Sequence, residues 1–136
     1  MNKKKLIFFI GLLIILISYA TFVLYFNSRI HQVREVPIIF EVKNKLGIGL
    51  FDGNELNFGI APRGSSSTRT FNITSNKDAD VLMIAKGNAS NFITFSENNF
   101  FLPKDEIKRL SAHLNVPADA GFGNYSGRLI IILRNV

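Results

Sequence analysis

The side chains of this sequence that could do chemistry are few and far apart. His31 and His113 are its two histidines, and cysteine is absent. A zinc site takes about three or four ligands. No spacing here assembles such a set, so both histidines read as solvated, His31 in a polar stretch and His113 on the polar face of a strand. Ser65-Ser66-Ser67 follows Gly64. A nucleophilic serine needs a base and an oxyanion donor, and the run has neither a G-x-S-x-G elbow nor a histidine nearby. It reads as a polar loop. Asp78/Asp80 and Asp105/Glu106 fall short of the roughly six to eight oxygens that calcium collects, usually from a D-x-D-x-D-G run. The first pair leads directly into a strand, and the second belongs to Lys104–Lys108, a solvated hairpin or crossover. Gly47-Ile48-Gly49 lacks the third glycine and the helix of a dinucleotide fingerprint and reads as a turn. The expectation is a protein without catalytic residues, metal or cofactor.

Two other groups could carry function without catalysis. Asn72-Ile-Thr74, Asn88-Ala-Ser90 and Asn124-Tyr-Ser126 are N-x-[ST] sequons. Asn72, Asn88 and Asn124 are candidate glycan sites on an exported domain, Asn88 foremost because it falls in a loop. Phe92, Phe95, Phe100 and Phe101 are clustered in sequence. Most of this cluster reads as core, but adjacent residues on a strand point to opposite faces. One of Phe100 and Phe101 therefore faces outward, and this pair is the candidate partner contact.

The net charge of +6 over 136 residues resembles a nucleic-acid footprint until it is divided along the chain. Lys3, Lys4, Lys5, Arg29 and Arg34 against Glu35 leave +4 on residues 1–35 and only +2 on the rest. The basicity flanks an apolar run, where it reports membrane topology, and nucleic acid is not expected as a partner.

That run, Leu6–Phe26, carries no charge. As a helix at about 1.5 Å per residue it spans roughly 31 Å, the thickness of a bilayer's hydrocarbon core. Residues 1–5 are then a cytoplasmic basic tail, 6–26 a transmembrane helix in the lipid bilayer, and 27–35 a juxtamembrane linker. Residues 36–136 form a domain outside the cell membrane. Lys3–Lys5 place the N-terminus inside, and Tyr19 and Tyr25 lie toward the far interface. Signal cleavage near Ala20, after Ser18-Tyr19-Ala20, is the competing reading and would release the domain. The apolar run continues past it as Thr21–Phe26, which favours retention. A prepilin helix fits poorly, since Pro37 stops a helix soon after the membrane.

Beyond the linker the apolar period shortens and turn residues recur, the signature of strands. Strands are expected at 36–43, 48–51, 56–60, 68–75, 79–86, 92–96, 99–102, 109–116 and 126–134. Turns are expected at Asp52-Gly53-Asn54 and Glu97-Asn98. Segments 68–75 and 109–116 alternate as half-wet strands do; 79–86 is apolar enough for a central strand. The fold class is all-β: an immunoglobulin-like, two-sheet antiparallel sandwich of about 7–9 strands after one transmembrane helix.

Leu56-Asn57-Phe58-Gly59, then Gly64, then Arg69–Ile73 and Asn76, resembles the opening of the ASH/MSP-type immunoglobulin-like sandwich, the group of ASH domains and major sperm proteins. Pro117, Asp119, Gly123, Tyr125 and Gly127 are similar to its close. The resemblance covers about residues 55–135 and rests on turn glycines, core aromatics and a tyrosine near a strand corner. It implies a non-catalytic module for protein contact, often in scaffolds or surface assemblies; for an anchored sandwich without catalytic residues the expected partner is an envelope protein. Two alternatives stand beside it: an accessory subunit of a pilus, motility or secretion machine, and a secreted domain.

Overall fold

The computed structural model describes residues 2–44, the backbone of 47–48, and 55–136. It falls into two compact units, one up to Ile30 and one from His31 onward.

The first unit is helix α1 (Lys3–Ser28). It is long and apolar enough to cross a membrane. None of its residues is buried by protein. Its polar side chains satisfy themselves locally: Thr21 Oγ1 donates to the Ile17 carbonyl at 2.8 Å, and Ser28 Oγ donates to that of Tyr25 at 2.9 Å. Such back-bonding hides a hydroxyl against its own helix. Arg29 donates to the Tyr25 hydroxyl at 2.8 Å and lies over its ring.

The second unit holds two sheets. Strands β1 (Ile30–Val42), β2 (Gly47–Ile48), β3 (Leu56–Ala61), β5 (Ala79–Gly87), β7 (Phe100–Leu102) and β9 (Gly123–Asn135) form one, in the order β2-β3-β1-β9-β5-β7. Strands β4 (Ser66–Thr74), β6 (Ile93–Phe95) and β8 (Ile107–Asn115) form the other, in the order β4-β8-β6. That makes nine strands among the described residues. From β4 onward each strand lies in the opposite sheet from its predecessor, so every connection crosses the shared core in a sandwich-like arrangement. Ile38, Val42, Leu56, Ile73, Val81, Leu102, Leu110, Leu114, Leu129 and Leu133 are the fully buried centre of that core. The alternation expected in β4 and β8 holds, with Ile73, Leu110, Ala112 and Leu114 buried, and β9 buries Leu129, Ile131 and Leu133 on one face. Phe40, Phe92 and Tyr125 close one end, the first and last stacked at 5.0 Å between ring centres.

Several expectations need correction. Residues 27–35 are not a linker: Asn27 and Ser28 end α1, and β1 starts at Ile30. The polar composition misleads because these residues find partners on neighbouring elements. Arg34 donates to the Thr74 carbonyl, Glu35 meets Arg128 at 3.2 Å, and His31 bonds Asn76 at 2.9 Å. Nor is the sandwich wholly antiparallel, since β1 and β3 pair in parallel. A parallel pair needs a crossover of about a dozen residues or more, which 43–55 provide. Ser66 and Ser67, expected in a loop, belong to β4, and Gly47-Ile48 pairs with β3 instead of turning. Ile107 and Lys108 belong to β8 and not to a solvated hairpin. Gly49, the rest of the 48–51 strand and the turn at Asp52-Gly53-Asn54 lie outside the described residues.

Where β7 ends, one side chain continues its work. Among the described residues strand β7 pairs with Ala79–Val81. Two residues further along β5, Asn98 Oδ1 accepts the Met83 amide at 2.7 Å and Asn98 Nδ2 donates to the Met83 carbonyl at 2.8 Å. One carboxamide thus imitates a rung of the ladder. Asn98→Ala leaves both backbone groups without their partner and is expected to cost about 2 kcal/mol, given about 1–3 kcal/mol for an unsatisfied buried group. Urea unfolding of the variant checks it. A loss below about 0.5 kcal/mol, the ordinary scale of surface substitutions, would show that water replaces the rung freely.

Candidate contact face

The two outer faces of the sandwich differ in chemistry, and strand periodicity explains how. Strands β4 and β8 alternate apolar-in and polar-out, so the three-stranded sheet turns Thr68, Thr70, Asn72 and Thr74 outward beside Arg109, Ser111 and His113. Those groups bond one another across the strands. His113 Nδ1 and Thr68 Oγ1 lie 2.9 Å apart, and Arg109 reaches Thr70 Oγ1 at 3.4 Å. Most of this face is suited to water; Ile107, opposite Thr74 at its end, is the exposed apolar exception.

The six-stranded sheet does not alternate that way. Strands β5 and β9 are apolar on both sides through Val81–Ala85 and Leu129–Leu133. The inward set is Val81, Met83, Leu129, Ile131 and Leu133, all buried. The outward set pairs directly across the two strands, Leu82 with Ile132 and Ile84 with Ile130. Ile84 and, on the adjacent β7, Phe101 are exposed, Phe101 by half of its surface. Val33, also half exposed, stands on β1, the other neighbour of β9. Charges frame the strip. At one end Asp80 stands between Arg134 and Phe101, and at the other Lys86 stands opposite Arg128, which meets Glu35. Arg134 Nη2 donates to Asn99 at 3.3 Å, while its buried Nε has no acceptor among the described residues. An apolar centre with an aromatic residue and a charged rim is the anatomy of a protein interface.

A groove of about 380 Å3 extends this face toward β3, lined by Ile39, Glu41, Asn57, Ile60, Asn124 and Tyr125 among others. It opens where β1 and β3 slip register between Ile39 and Phe40. Gly59 sits at that slip with φ 73°, its amide donating to Asn57 Oδ1 at 2.9 Å. A β-bulge of this kind bends the strand and re-aims its neighbours.

The candidate residues from the sequence are scattered over these surfaces. Phe100 is buried and Lys108 lies over its ring; Phe101 is the exposed member of the pair. Phe71, Phe92 and Phe95 pack against the core. Of the sequons, Asn72 stands on the polar face, Asn124 lines the groove, and Asn88 lies in the loop after β5, where its Oδ1 accepts the Ser126 amide at 2.8 Å. His31 and His113 are far apart in the sheets, each bonded to one neutral side chain. Ser65 Oγ donates to the Pro62 carbonyl at 2.6 Å within its turn. Asp78 accepts the Lys104 amide at 2.7 Å. Among the described residues no three His, Asp or Glu side chains group as metal ligands would. The residues that the sequence reading missed are Leu82, Ile84, Ile130 and Ile132. Their signal was legible: a strand with one wet face alternates, and 81–85 and 129–133 do not. No protein-family model, curated protein or solved structure matches this chain.

Proposed function

We propose that this chain is a single-pass, membrane-anchored, non-catalytic module. Its immunoglobulin-like sandwich stands outside the cell membrane and meets another envelope protein through the outer face of its six-stranded sheet. The observation that carries this reading is the inequality of the two faces. One is chiefly threonine, serine and asparagine, with Ile107 exposed at its end, and the other exposes Val33, Ile84 and Phe101 around a half-buried isoleucine–leucine centre. Scattered apolar residues are ordinary on a surface, whereas a contiguous strip framed by charge marks a contact site.

Support for the immunoglobulin-like topology comes from pairing. The partnerships β4–β8, β6–β8 and β5–β9 correspond to the B–E, D–E and C–F pairs of that sandwich. Tyr125, at the start of β9, donates its hydroxyl to the Gly121 carbonyl at 2.9 Å, as the corner tyrosine of strand F does. The far neighbour of β9, where strand G would lie, is β1. The ASH/MSP resemblance gains from Gly59 and Gly64, both of which adopt positive φ. The anchor reading is favoured by the continuity of α1 across Ala20 to Ser28. Lys3–Lys5 at its start favour an inside N-terminus.

The test is site-specific photo-crosslinking in the native membrane. A photoreactive residue at Ile84 or Phe101 is expected to capture one discrete protein band, and the same residue at Thr70 or Asn72 to capture none. Equal yields from both faces, or a band from Thr70 alone, would sink the assignment of the face.

A further inference from the structure

A second concavity lies away from that face. The first residues of β1, the end of β4 and the β7–β8 turn enclose a cleft of about 510 Å3 lined by His31, Gln32, Arg34, Ser75, Asn76 and Asp105, together with Thr74. We infer that this cleft receives a phosphate ester bearing a primary ammonium group, the headgroup of an aminophospholipid. Arg34 takes the phosphate and Asp105 the ammonium.

The lining carries one guanidinium and one carboxylate; its other side chains are amides, hydroxyls and an imidazole. A bare anion would meet Asp105 and a bare cation would meet Arg34, whereas a molecule carrying both charges suits both; Lys104 Nζ, 4.0 Å from Asp105, is an exposed and water-screened competitor for that carboxylate. Arg34 is held for the task. Both N–H groups of its Nη2 are spent, on Gln32 Oε1 at 3.1 Å and the Thr74 carbonyl at 3.2 Å. Among the described residues Nη1 and Nε keep N–H donors, on opposite sides of the guanidinium, and each can reach one phosphate oxygen. Ser75 is the one buried polar residue described, 3% exposed. Its hydroxyl accepts the Lys77 amide at 3.3 Å, and its own proton has no acceptor among the described residues. That hydroxyl already has one partner, and its O–H is a further donor in the cleft wall.

Asp105 has φ 60°. Its amide donates to the Ser75 carbonyl at 2.7 Å, which ties the turn to the cleft wall. A primary ammonium donates hydrogen bonds to such a carboxylate; a quaternary one cannot.

The source of the ester is a bilayer, and this part rests on α1 spanning one. His31 follows the last residue of α1 by three positions, so it stays within about 11 Å of that end whatever orientation the domain takes.

The experiment uses the full-length protein in phosphatidylcholine nanodiscs, with and without phosphatidylethanolamine, read by amide NMR shifts. Soluble O-phosphoethanolamine and inorganic phosphate are titrated separately. Phosphatidylethanolamine is expected to move the amides of Ser75, Asn76 and Asp105. Soluble O-phosphoethanolamine is expected to bind the same residues more tightly than inorganic phosphate does. Arg34→Gln is expected to weaken it about tenfold, the low end for a hydrogen bond to a charged group. Asp105→Asn, which tolerates the same backbone conformation, is expected to erase the preference over inorganic phosphate. Glu106→Gln, outside the cleft, is expected to change neither.

Equal affinity for inorganic phosphate in the native protein, or unaltered binding by Arg34→Gln, overturns the assignment. Binding of the soluble ester without any response to phosphatidylethanolamine overturns the lipid source. Failure of the chain to enter nanodiscs would refute the span, and the soluble titration would still decide the chemistry of the cleft.

Discussion

Leu13→Arg combined with Leu16→Arg is expected to remove the protein from the carbonate-resistant membrane fraction. Both leucines lie near the middle of the uncharged stretch 6–26. On insertion scales an arginine there costs about 2.5–3.5 kcal/mol, so the pair costs roughly 5–7 kcal/mol, enough to reverse insertion. A helix is the form in which this stretch satisfies its own backbone in lipid, and α1 provides it without interruption. Leu13→Phe with Leu16→Phe keeps the apolarity and is expected to leave the protein in the membrane. Fractionation with immunoblotting reads both. Retention of the arginine variant in the carbonate-resistant pellet would mean that something other than α1 holds the chain there.

Gly127→Ala is expected to destabilise the sandwich by about 3 kcal/mol, the upper part of the range for forcing an atom into a filled site. For a domain of this size the unfolding midpoint would fall by roughly 12–24 °C. In the β5–β9 ladder Gly127 stands opposite Gly87. A Cβ on Gly127 would land on the Lys86 carbonyl oxygen and 3.3 Å from the buried Cβ of Ala89. One on Gly87 would come within 2.7 Å of the Gly127 Cα. Backbone cannot swing aside as a side-chain end can. The crossing is also fixed by the Ala89 amide, which donates to the Ser126 carbonyl at 3.1 Å, and by Asn88 holding the Ser126 amide. Gly64 supplies the comparison. It has φ 72° with nothing near its Cβ position, so Gly64→Ala is expected to cost only about 1–2 kcal/mol for the left-handed backbone. Thermal unfolding of both variants decides the matter. If Gly127→Ala proves no worse than Gly64→Ala, the close approach of the strands is not what the glycine serves.

Gly127 also illustrates how far the sequence could be read. The resemblance marked it as one glycine of a closing pattern, which identified a special position without its reason. The reason is the residue opposite, forty positions earlier in the chain, and only strand register brings Gly87 there. Phe100 and Phe101 behaved in the same way. Alternation required one to face out, and the neighbours of β7 decided that it is Phe101.

By itself the sequence determined the features that depend on near neighbours along the chain. Charge-free length specified a helix able to cross a bilayer, and apolar alternation specified the inward sides of β4 and β8. The continuous runs at 81–85 and 129–133 specified that two strands are apolar on both sides. Tertiary structure alone decided what depends on partners distant in sequence. It turned the polar stretch at 30–35 into the start of β1 by supplying Thr74, Asn76 and Arg128 as partners. It placed Leu82, Ile84, Ile130 and Ile132 on one outer face, and it gathered His31, Arg34, Ser75 and Asp105 around one cleft. Local periodicity is set by backbone geometry within a few residues, whereas register and strand order are set by packing the whole core at once. A surface or a site assembled from several strands therefore exists only after the chain has folded.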